Sequence, residues 1–155
     1  MYHSITFSLS VPYLENGEVV LQDARNTWES WYLIPSSRPV IAPPEPNTNL
    51  VEIPGRDGPI DFSTYLTGGV TYKSRTGSLE FYVENDHEDW TMIHDKIANY
   101  LHGQEVYMIL EDIPGYYYHG RIAMNEWASE SWNSRVVLNY TLDPFIKEIS
   151  EGGGT

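Results

Sequence analysis

Ser78-Leu79-Glu80-Phe81-Tyr82-Val83-Glu84 is the stretch of the sequence that indicates the fold class most clearly. The residues at 79, 81 and 83 are aliphatic or aromatic, whereas two of the four positions between and beside them are glutamates. Successive side chains of a β-strand point to opposite faces, so this alternation predicts a half-buried strand. The segment therefore predicts a sheet with one face on a hydrophobic core.

Five further segments have the same alternation or are rich in β-branched and aromatic residues. They are residues 5–10, 18–22, 105–110, 116–127 and 134–142. The fourth is predicted to be bulged near Gly120 and to end at Trp127, where a loop to Trp132 begins. These segments predict a mainly β chain.

The first two strand candidates are predicted to form a hairpin over residues 5–22. Asn16-Gly17 is typical of a tight turn between strands. The alternation in the first strand places three apolar residues on its buried face, namely Ile5, Phe7 and Leu9.

One helix is predicted at about residues 87–101. Asp86 suits the N-cap, Asp89 lies three residues later in a capping-box position, and Gly103 suits the position after the helix end. Apolar residues recur at spacings of three and four, as one stripe: Trp90, Ile93, Ile97 and Leu101. With the strands, this predicts a mainly β fold, a β-sandwich or barrel with one α-helix.

Residues 35–59 form a proline-rich arm that holds seven of the ten prolines. Proline cannot donate to a strand ladder, so the part from Pro39 to Pro46 is predicted to run extended outside any central strand. Val40 and Ile41 give it an apolar tip. Such a stiff arm loses little entropy on docking, which favours a contact with another molecule. An ordinary surface connection is the alternative interpretation. Farther along, Arg56-Asp57-Gly58 is predicted to be a turn between two short strands.

The net charge limits the classes of partner. The chain has 155 residues, with 22 acidic and nine basic side chains, and a formal charge of −13. Tight nucleic-acid binding needs a basic surface, and anionic membranes attract the same kind of surface, so both partners are disfavoured. No apolar run approaches the roughly 20 residues of a membrane span. The absence of cysteine excludes disulfides, thiol catalysis and cysteine-bound zinc.

The sequence contains no strong catalytic or metal-binding motif, and no cofactor is predicted. His87, His94 and His102 are too far apart along a helix to share a metal, and no HExxH or GxSxG motif occurs. Eight acidic residues lie between Glu84 and Asp112, but a calcium loop would need a turn glycine that residues 85–89 lack. A hydrolase using these carboxylates is the weakest of three functional interpretations.

Tyrosines and tryptophans offer an alternative function. The run Tyr116-Tyr117-Tyr118, together with Trp127 and Trp132, has faces on which sugar rings stack. Only Tyr116 and Tyr118 of the tyrosine run would share one side of a strand. Packing within the fold explains the same residues, and a small carbohydrate-binding module remains the alternative function.

The order of several short motifs is the most informative feature. These motifs are Trp28–Pro44, Asn49–Gly58, Leu66–Gly68, Arg75–Phe81, Asn99–Gly103 and Leu110–Arg121. The series resembles the ring-forming N-terminal domain of siphophage distal tail proteins, the Dit family, and it extends over nearly the whole chain from Trp28 to Pro144.

This resemblance implies a tail-tube-like β-sandwich and a structural, non-enzymatic role in the virion, at the distal end of the phage tail. It implies a homohexameric ring between the tail tube protein and the tail-tip hub protein, with a lumen through which DNA passes. A receptor-binding protein is a further candidate partner. Residues 1–148 are expected to form one ring-forming domain and 149–155 a flexible tail, without the carbohydrate-binding-like domain of many relatives.

The expected subunit interface lies on the proline-rich arm. Its candidate residues are Pro39, Val40, Ile41, Pro43, Pro44 and Pro46. A ring contact is heterologous, so two different patches of each subunit meet. Some of the negative charge is expected to face the lumen, where it would repel DNA phosphates.

Overall fold

The computed structural model describes residues 3–48, 50–61, 69–84, 90–129 and 133–151. Twelve strands and one helix are present in this part of the chain. They are β1 (Ile5–Ser8), β2 (Tyr13–Glu15), β3 (Glu18–Val20), β4 (Arg25–Asn26), β5 (Leu33–Pro35), β6 (Leu50–Val51), β7 (Ile60–Asp61), β8 (Arg75–Glu84), α1 (Trp90–Leu101), β9 (Glu105–Leu110), β10 (Tyr116–Ser129), β11 (Asn133–Leu142) and β12 (Lys147–Glu148).

One curled sheet dominates the fold, and its path runs β4-β1-β9-β10-β11-β8-β5 with every neighbouring pair antiparallel. The edge strands β4 and β5 are close in sequence, joined only by residues 27–32. The backbone N–H of Ser30 donates to Asn26 O, and that of Tyr32 donates to Trp28 O, so this connection is coiled into helical turns. At the rise of a helix, the six connecting residues span only about 10 Å. A flat sheet would hold its edges roughly 29 Å apart, and the sheet therefore curls into a half-barrel.

Helix α1 packs its predicted stripe into this half-barrel. Ile93, Ile97 and Leu101 are completely buried in the same core cluster as Phe7 of β1 and Phe81 of β8. The helix ends where predicted, with Gly103 at a φ of 76°. Its predicted first residues and caps, from 86 to 89, lie outside the described residues. No helix in the described part of the chain is long and apolar enough to cross a membrane.

The predicted mainly β fold is confirmed, and the alternation in β8 is confirmed by the burial of Leu79, Phe81 and Val83. The predicted hairpin over residues 5–22 is wrong. Only β2 and β3 pair around Asn16-Gly17, whereas β1 pairs with β9 and β4.

Leu9 is exposed, contrary to the predicted pattern, because β1 ends at Ser8. Ser8 is fully buried, and its hydroxyl oxygen lies within hydrogen-bond distance of two carbonyls, 2.9 Å from Ser10 O and 3.2 Å from Gln22 O. The chain bends at this point, so the alternation does not continue to Leu9.

The bulge predicted near Gly120 is also misplaced, because the register of β10 shifts between Met124 and Glu126. Gly120 instead allows close approach, since a Cβ there would lie 2.1 Å from the backbone oxygen of Thr141. The strand also continues through Trp127 to Ser129, so Trp127 belongs to β10 and does not begin a loop.

Candidate interaction surfaces

In the part of the chain that the structure describes, no three histidine or acidic side chains are arranged so that they could hold a metal ion together. His102 accepts a hydrogen bond from the backbone N–H of Met124, and His3 contacts Asp112. His87 lies outside the described residues. The described acids of the predicted cluster are dispersed over several elements, and those at its C-terminal end have partners of their own.

The proline-rich arm is fixed to the sheet at its first residues. The backbone N–H of Ser36 donates to the carbonyl of Glu80 at 3.0 Å. Arg38 Nε lies 3.0 Å from Asp112 Oδ2, and His3 Nδ1 lies 3.0 Å from the other oxygen of that carboxylate. Hydrogen bonds from His3 and Arg38 keep the pKa of Asp112 below its usual value. The carboxylate of Asp112 thus connects the arm to the start of the chain.

The middle of the arm is anchored in the core. Ile41 is only 7 % exposed and belongs to the core cluster. The next residue, Ala42, donates its backbone N–H to the hydroxyl of Tyr140 at 2.9 Å. Tyr140 reaches this position because Gly77 faces it, and a Cβ on Gly77 would lie 2.3 Å from the hydroxyl oxygen.

The apolar tip predicted at Val40 and Ile41 is therefore half correct. Val40 is 72 % exposed, whereas Ile41 belongs to its own subunit's core. Within the predicted interface set, Pro39 is also buried, Pro44 is half-buried, and Pro43 and Pro46 are exposed. The structure thus divides the predicted interface residues into some that are buried in their own subunit and others that are exposed. The role of these residues as a subunit interface stays a prediction.

Residues 45–47 of the arm pair with the chain that returns to β8. Lys73 donates its backbone N–H to Glu45 O, and Asn47 donates to Thr71 O, both at 2.8 Å. Pro46 and Tyr72 form an antiparallel bridge between these bonds. The segment between β5 and β8 is therefore a long connection that includes the arm, and its two sides are held together at its base by this pairing. We call this connection the excursion.

The outer part of the excursion is the hairpin formed by β6 and β7. This pairing agrees with the turn predicted at Arg56–Gly58. Every residue from 50 to 59 is exposed. Three of these are large and apolar, namely Leu50, Val51 and Ile53. An exposed hairpin with apolar residues is a typical site of contact with another molecule.

An exposed apolar patch lies at the base of the excursion. The rings of Tyr72 and Phe145 meet edge to face at a centroid distance of 5.6 Å. Phe145 is 61 % exposed, and Ile146 beside it and Val70 near Tyr72 are exposed as well. We call Val70, Tyr72, Phe145 and Ile146 the base patch.

A cluster centred on His119 lies close to the base patch. His119 Nδ1 is 2.7 Å from Asp143 Oδ2, and His119 Nε2 is 2.5 Å from Glu105 Oε1. The ring of His119 stacks on Tyr107 at 4.8 Å. Partial burial lowers the pKa of His119, but the hydrogen bonds to Asp143 and Glu105 outweigh it and raise the pKa above the usual value.

Sequence reasoning did not find this cluster. The partners of His119 lie 14 and 24 residues away, and neither belongs to a recognisable motif. Only the pairing of β9 with β10 and the backbone bond from Asp143 to His119 bring the three side chains together.

The aromatic residues predicted as an alternative sugar platform are divided between core and surface. Tyr118 is buried in the core, with the Arg75 guanidinium 5.5 Å from its ring centre. Tyr116 is 41 % exposed at the start of β10. The Trp127 side chain and Trp132 lie outside what the structure describes. Tyr116 and Tyr118 therefore do not form an exposed pair.

Comparison with protein families gives a match to the phage tail protein RIFT-related domain over residues 30–131. The chain belongs to this family. Membership makes it a structural component of a phage tail and agrees with the resemblance found in the ordered motifs. No curated protein matches the sequence.

The fold of this phage tail protein is similar to a solved structure, the Dit protein (gp 19.1) of phage SPP1. That protein is described as a paradigm of the hub adsorption apparatus in phages infecting Gram-positive bacteria. The TM-score is 0.60 at 16 % sequence identity, and the match covers 93 % of this chain. The chain spans about half the length of that protein, 52 %.

Proposed function

We propose that this chain is the ring-forming subunit of a distal tail hub. Six copies form a homohexameric ring that joins the tail tube protein to the tail-tip hub protein at the distal end of the virion. The observation that carries the proposal is the family match over residues 30–131, together with a fold similar to the SPP1 hub protein over 93 % of the chain. A receptor-binding protein is a further candidate partner.

The excursion is the element that fits a subunit contact best. Its inner residues are anchored through Arg38, Ile41 and Ala42, whereas Val40, Pro43 and the β6–β7 hairpin face solvent. An arm that is already ordered before binding loses little entropy on association. The base patch lies beside it and supplies further exposed apolar surface. In a ring these residues meet a different patch of the neighbouring subunit.

The net charge of −13 fits a ring whose lumen passes DNA without binding it. A negative wall repels phosphates, the reverse of the attraction that holds DNA-binding proteins on their sites. Neutralising the acids that line the lumen is expected to slow genome ejection.

Native mass spectrometry of the purified chain, with negative-stain imaging, tests the assembly. We expect a ring of six for the wild type. Val40→Asp places a charge on the exposed arm and is expected to abolish the ring while leaving the subunit folded, because Val40 contributes little to the core.

Val19→Asp is the matched control, since Val19 is an exposed valine of the separate β2–β3 hairpin. This variant is expected to form the wild-type ring. Unimpaired rings from Val40→Asp would exclude the arm from the interface. Rings of three or four would contradict the proposed stoichiometry.

A further inference from the structure

His119 lies between two carboxylates, one on β9 and one just after β11. Its Nδ1 is 2.7 Å from Asp143 Oδ2, and its Nε2 is 2.5 Å from Glu105 Oε1. An ionised carboxylate only accepts hydrogen bonds, and a neutral imidazole has a single N–H to donate. Both contacts are therefore satisfied only when the ring is protonated.

This cluster is connected to the base of the excursion. The backbone N–H of Asp143 donates to His119 O at 2.8 Å, and Arg75 Nε donates to Pro144 O at 2.9 Å. The next residue, Phe145, packs against Tyr72, which bridges to the arm at Pro46. A continuous series of contacts thus runs from His119 through the base patch to the arm.

Other charged and titratable groups surround the cluster. Arg121 of β10 lies 4.0 Å from the second oxygen of Glu105. Tyr107 of β9 stacks on the histidine ring and touches Tyr117, which pairs in register with the exposed Lys147 of β12. Burial and the charge of Glu105 raise the pKa of Tyr107, so that ring stays neutral while His119 titrates.

We propose that His119 is a protonation-dependent clamp that holds the base patch in place and so couples subunit association to pH. The proposal rests on the excursion and base patch serving as the subunit contact, as proposed above. With His119 protonated, the imidazolium joins β9 to the segment that begins at Asp143. With His119 neutral, one carboxylate loses its donor and two negative groups flank an uncharged ring.

Glu105 is the carboxylate that separates first. Its side chain is 52 % exposed, against 46 % for Asp143, and Arg121 lies within reach as another partner. Asp143 remains tied to His119 by its backbone hydrogen bond. Deprotonation therefore frees the Glu105 carboxylate from His119 and makes the net charge of the cluster more negative beside the base patch.

The direction of the pH effect follows from the raised pKa of His119. The stabilisation is fully present below the unfolded value of about 6.5. It is lost as the pH rises through the higher pKa of the folded state. Association of the wild type is therefore expected to weaken as the pH rises through the pKa of His119, above its ordinary value.

Long-range proton–nitrogen NMR of the histidine rings tests the clamp directly in the full chain. We expect both nitrogens of His119 to remain protonated at a pH where an ordinary histidine is already neutral. Melting temperature and sedimentation velocity are then measured from pH about 5.5 to about 9 for the wild type, His119→Gln and His94→Gln. Glutamine is neutral throughout and donates from one amide group.

His94→Gln is the matched control, since His94 is a partly exposed helix residue with an Asp95 oxygen 3.6 Å away. It is expected to keep the wild-type pH dependence. His119→Gln is expected to show neither the added stability at low pH nor the decrease in association as the pH rises. Titration of His119 in the ordinary range, or an unchanged pH dependence in His119→Gln, overturns the clamp. If no variant associates at any pH, the proposed function fails, while the NMR and melting data still decide the clamp.

Discussion

Gly77 shows how a single residue without a side chain positions the arm. It pairs with Tyr140 across β8 and β11, and its missing Cβ leaves the space that the tyrosine hydroxyl fills. That hydroxyl accepts the backbone N–H of Ala42 and is the polar anchor at the middle of the arm.

Gly77→Ala is therefore expected to displace Tyr140 and to break its bond to Ala42. Overpacking of this kind costs about 1–3 kcal/mol of unfolding free energy. Urea denaturation measures the loss, and hydrogen exchange at the Ala42 amide measures the release of the arm.

Gly115→Ala is the control, because an added Cβ at Gly115 meets nothing within 4 Å. Its stability is expected to remain close to that of the wild type. If Gly77→Ala is equally harmless, the close contact with Tyr140 does not position the arm.

No pattern in the sequence identifies this role of Gly77. The motif Arg75-Thr76-Gly77 predicts only that a strand follows. Tyr140, which fills the space beside Gly77, lies 63 positions later in the chain. The same limit applies to His119, whose two carboxylates come from separate elements. Contacts of this kind depend on strand pairing, which local periodicity does not specify.

At the scale of elements, periodicity predicts structure well where a segment buries one face. The strand over β8, the strand β9 and the end of helix α1 are confirmed, because their apolar stripes match a single buried surface. The first strand is different. Its alternation is correct for Ile5 and Phe7, but the nearby Asn16-Gly17 turn wrongly predicted its partner.

The arm likewise shows one correct and one incorrect prediction. Proline chemistry correctly predicts that the stretch from Pro39 to Pro46 stays outside the strands. The sequence wrongly predicts a single apolar tip that includes both Val40 and Ile41. Adjacent side chains of an extended chain point in opposite directions, so one of them was bound to face inward.

Truncation of these two neighbours is therefore expected to have very different effects. Ile41→Ala leaves a cavity in the core and is expected to cost about 2–5 kcal/mol of unfolding free energy. Val40→Ala is its matched control, expected to change stability by less than about 0.5 kcal/mol because Val40 is 72 % exposed. Urea titration of both variants measures the difference. Equal losses would contradict the division of the arm into an anchor and an exposed residue.

At the scale of the whole molecule, the defining feature is the curl of the sheet. The strand order places segments that are distant in sequence side by side, such as β1 with β9 and β5 with β8. No short stretch of the sequence shows which strands pair. The mainly β class follows from composition and alternation, but closure depends on the short connection between the two edge strands.

Thr27 lies where those edges meet and is completely buried. Its hydroxyl accepts the backbone N–H of Ile5 at 3.0 Å, and its own N–H donates to the carbonyl of Ile5 at 2.9 Å. Its carbonyl accepts the N–H of Leu33 at 2.8 Å. One residue therefore binds β1 and β5 together across the gap that the curled sheet would otherwise leave.

Thr27→Val keeps the shape of the side chain but removes the acceptor, so the buried N–H of Ile5 is left unpaired. Such a loss costs about 1–3 kcal/mol. Thr27→Ser keeps the oxygen and loses one methyl group, at about 0.8 kcal/mol by burial alone. If the hydrogen bond closes the sheet, stability should fall in the order wild type, Thr27→Ser, Thr27→Val, and hydrogen exchange at Ile5 should accelerate only in Thr27→Val. The reverse order of the two variants would mean that packing of the methyl group, rather than the hydrogen bond, joins the edges.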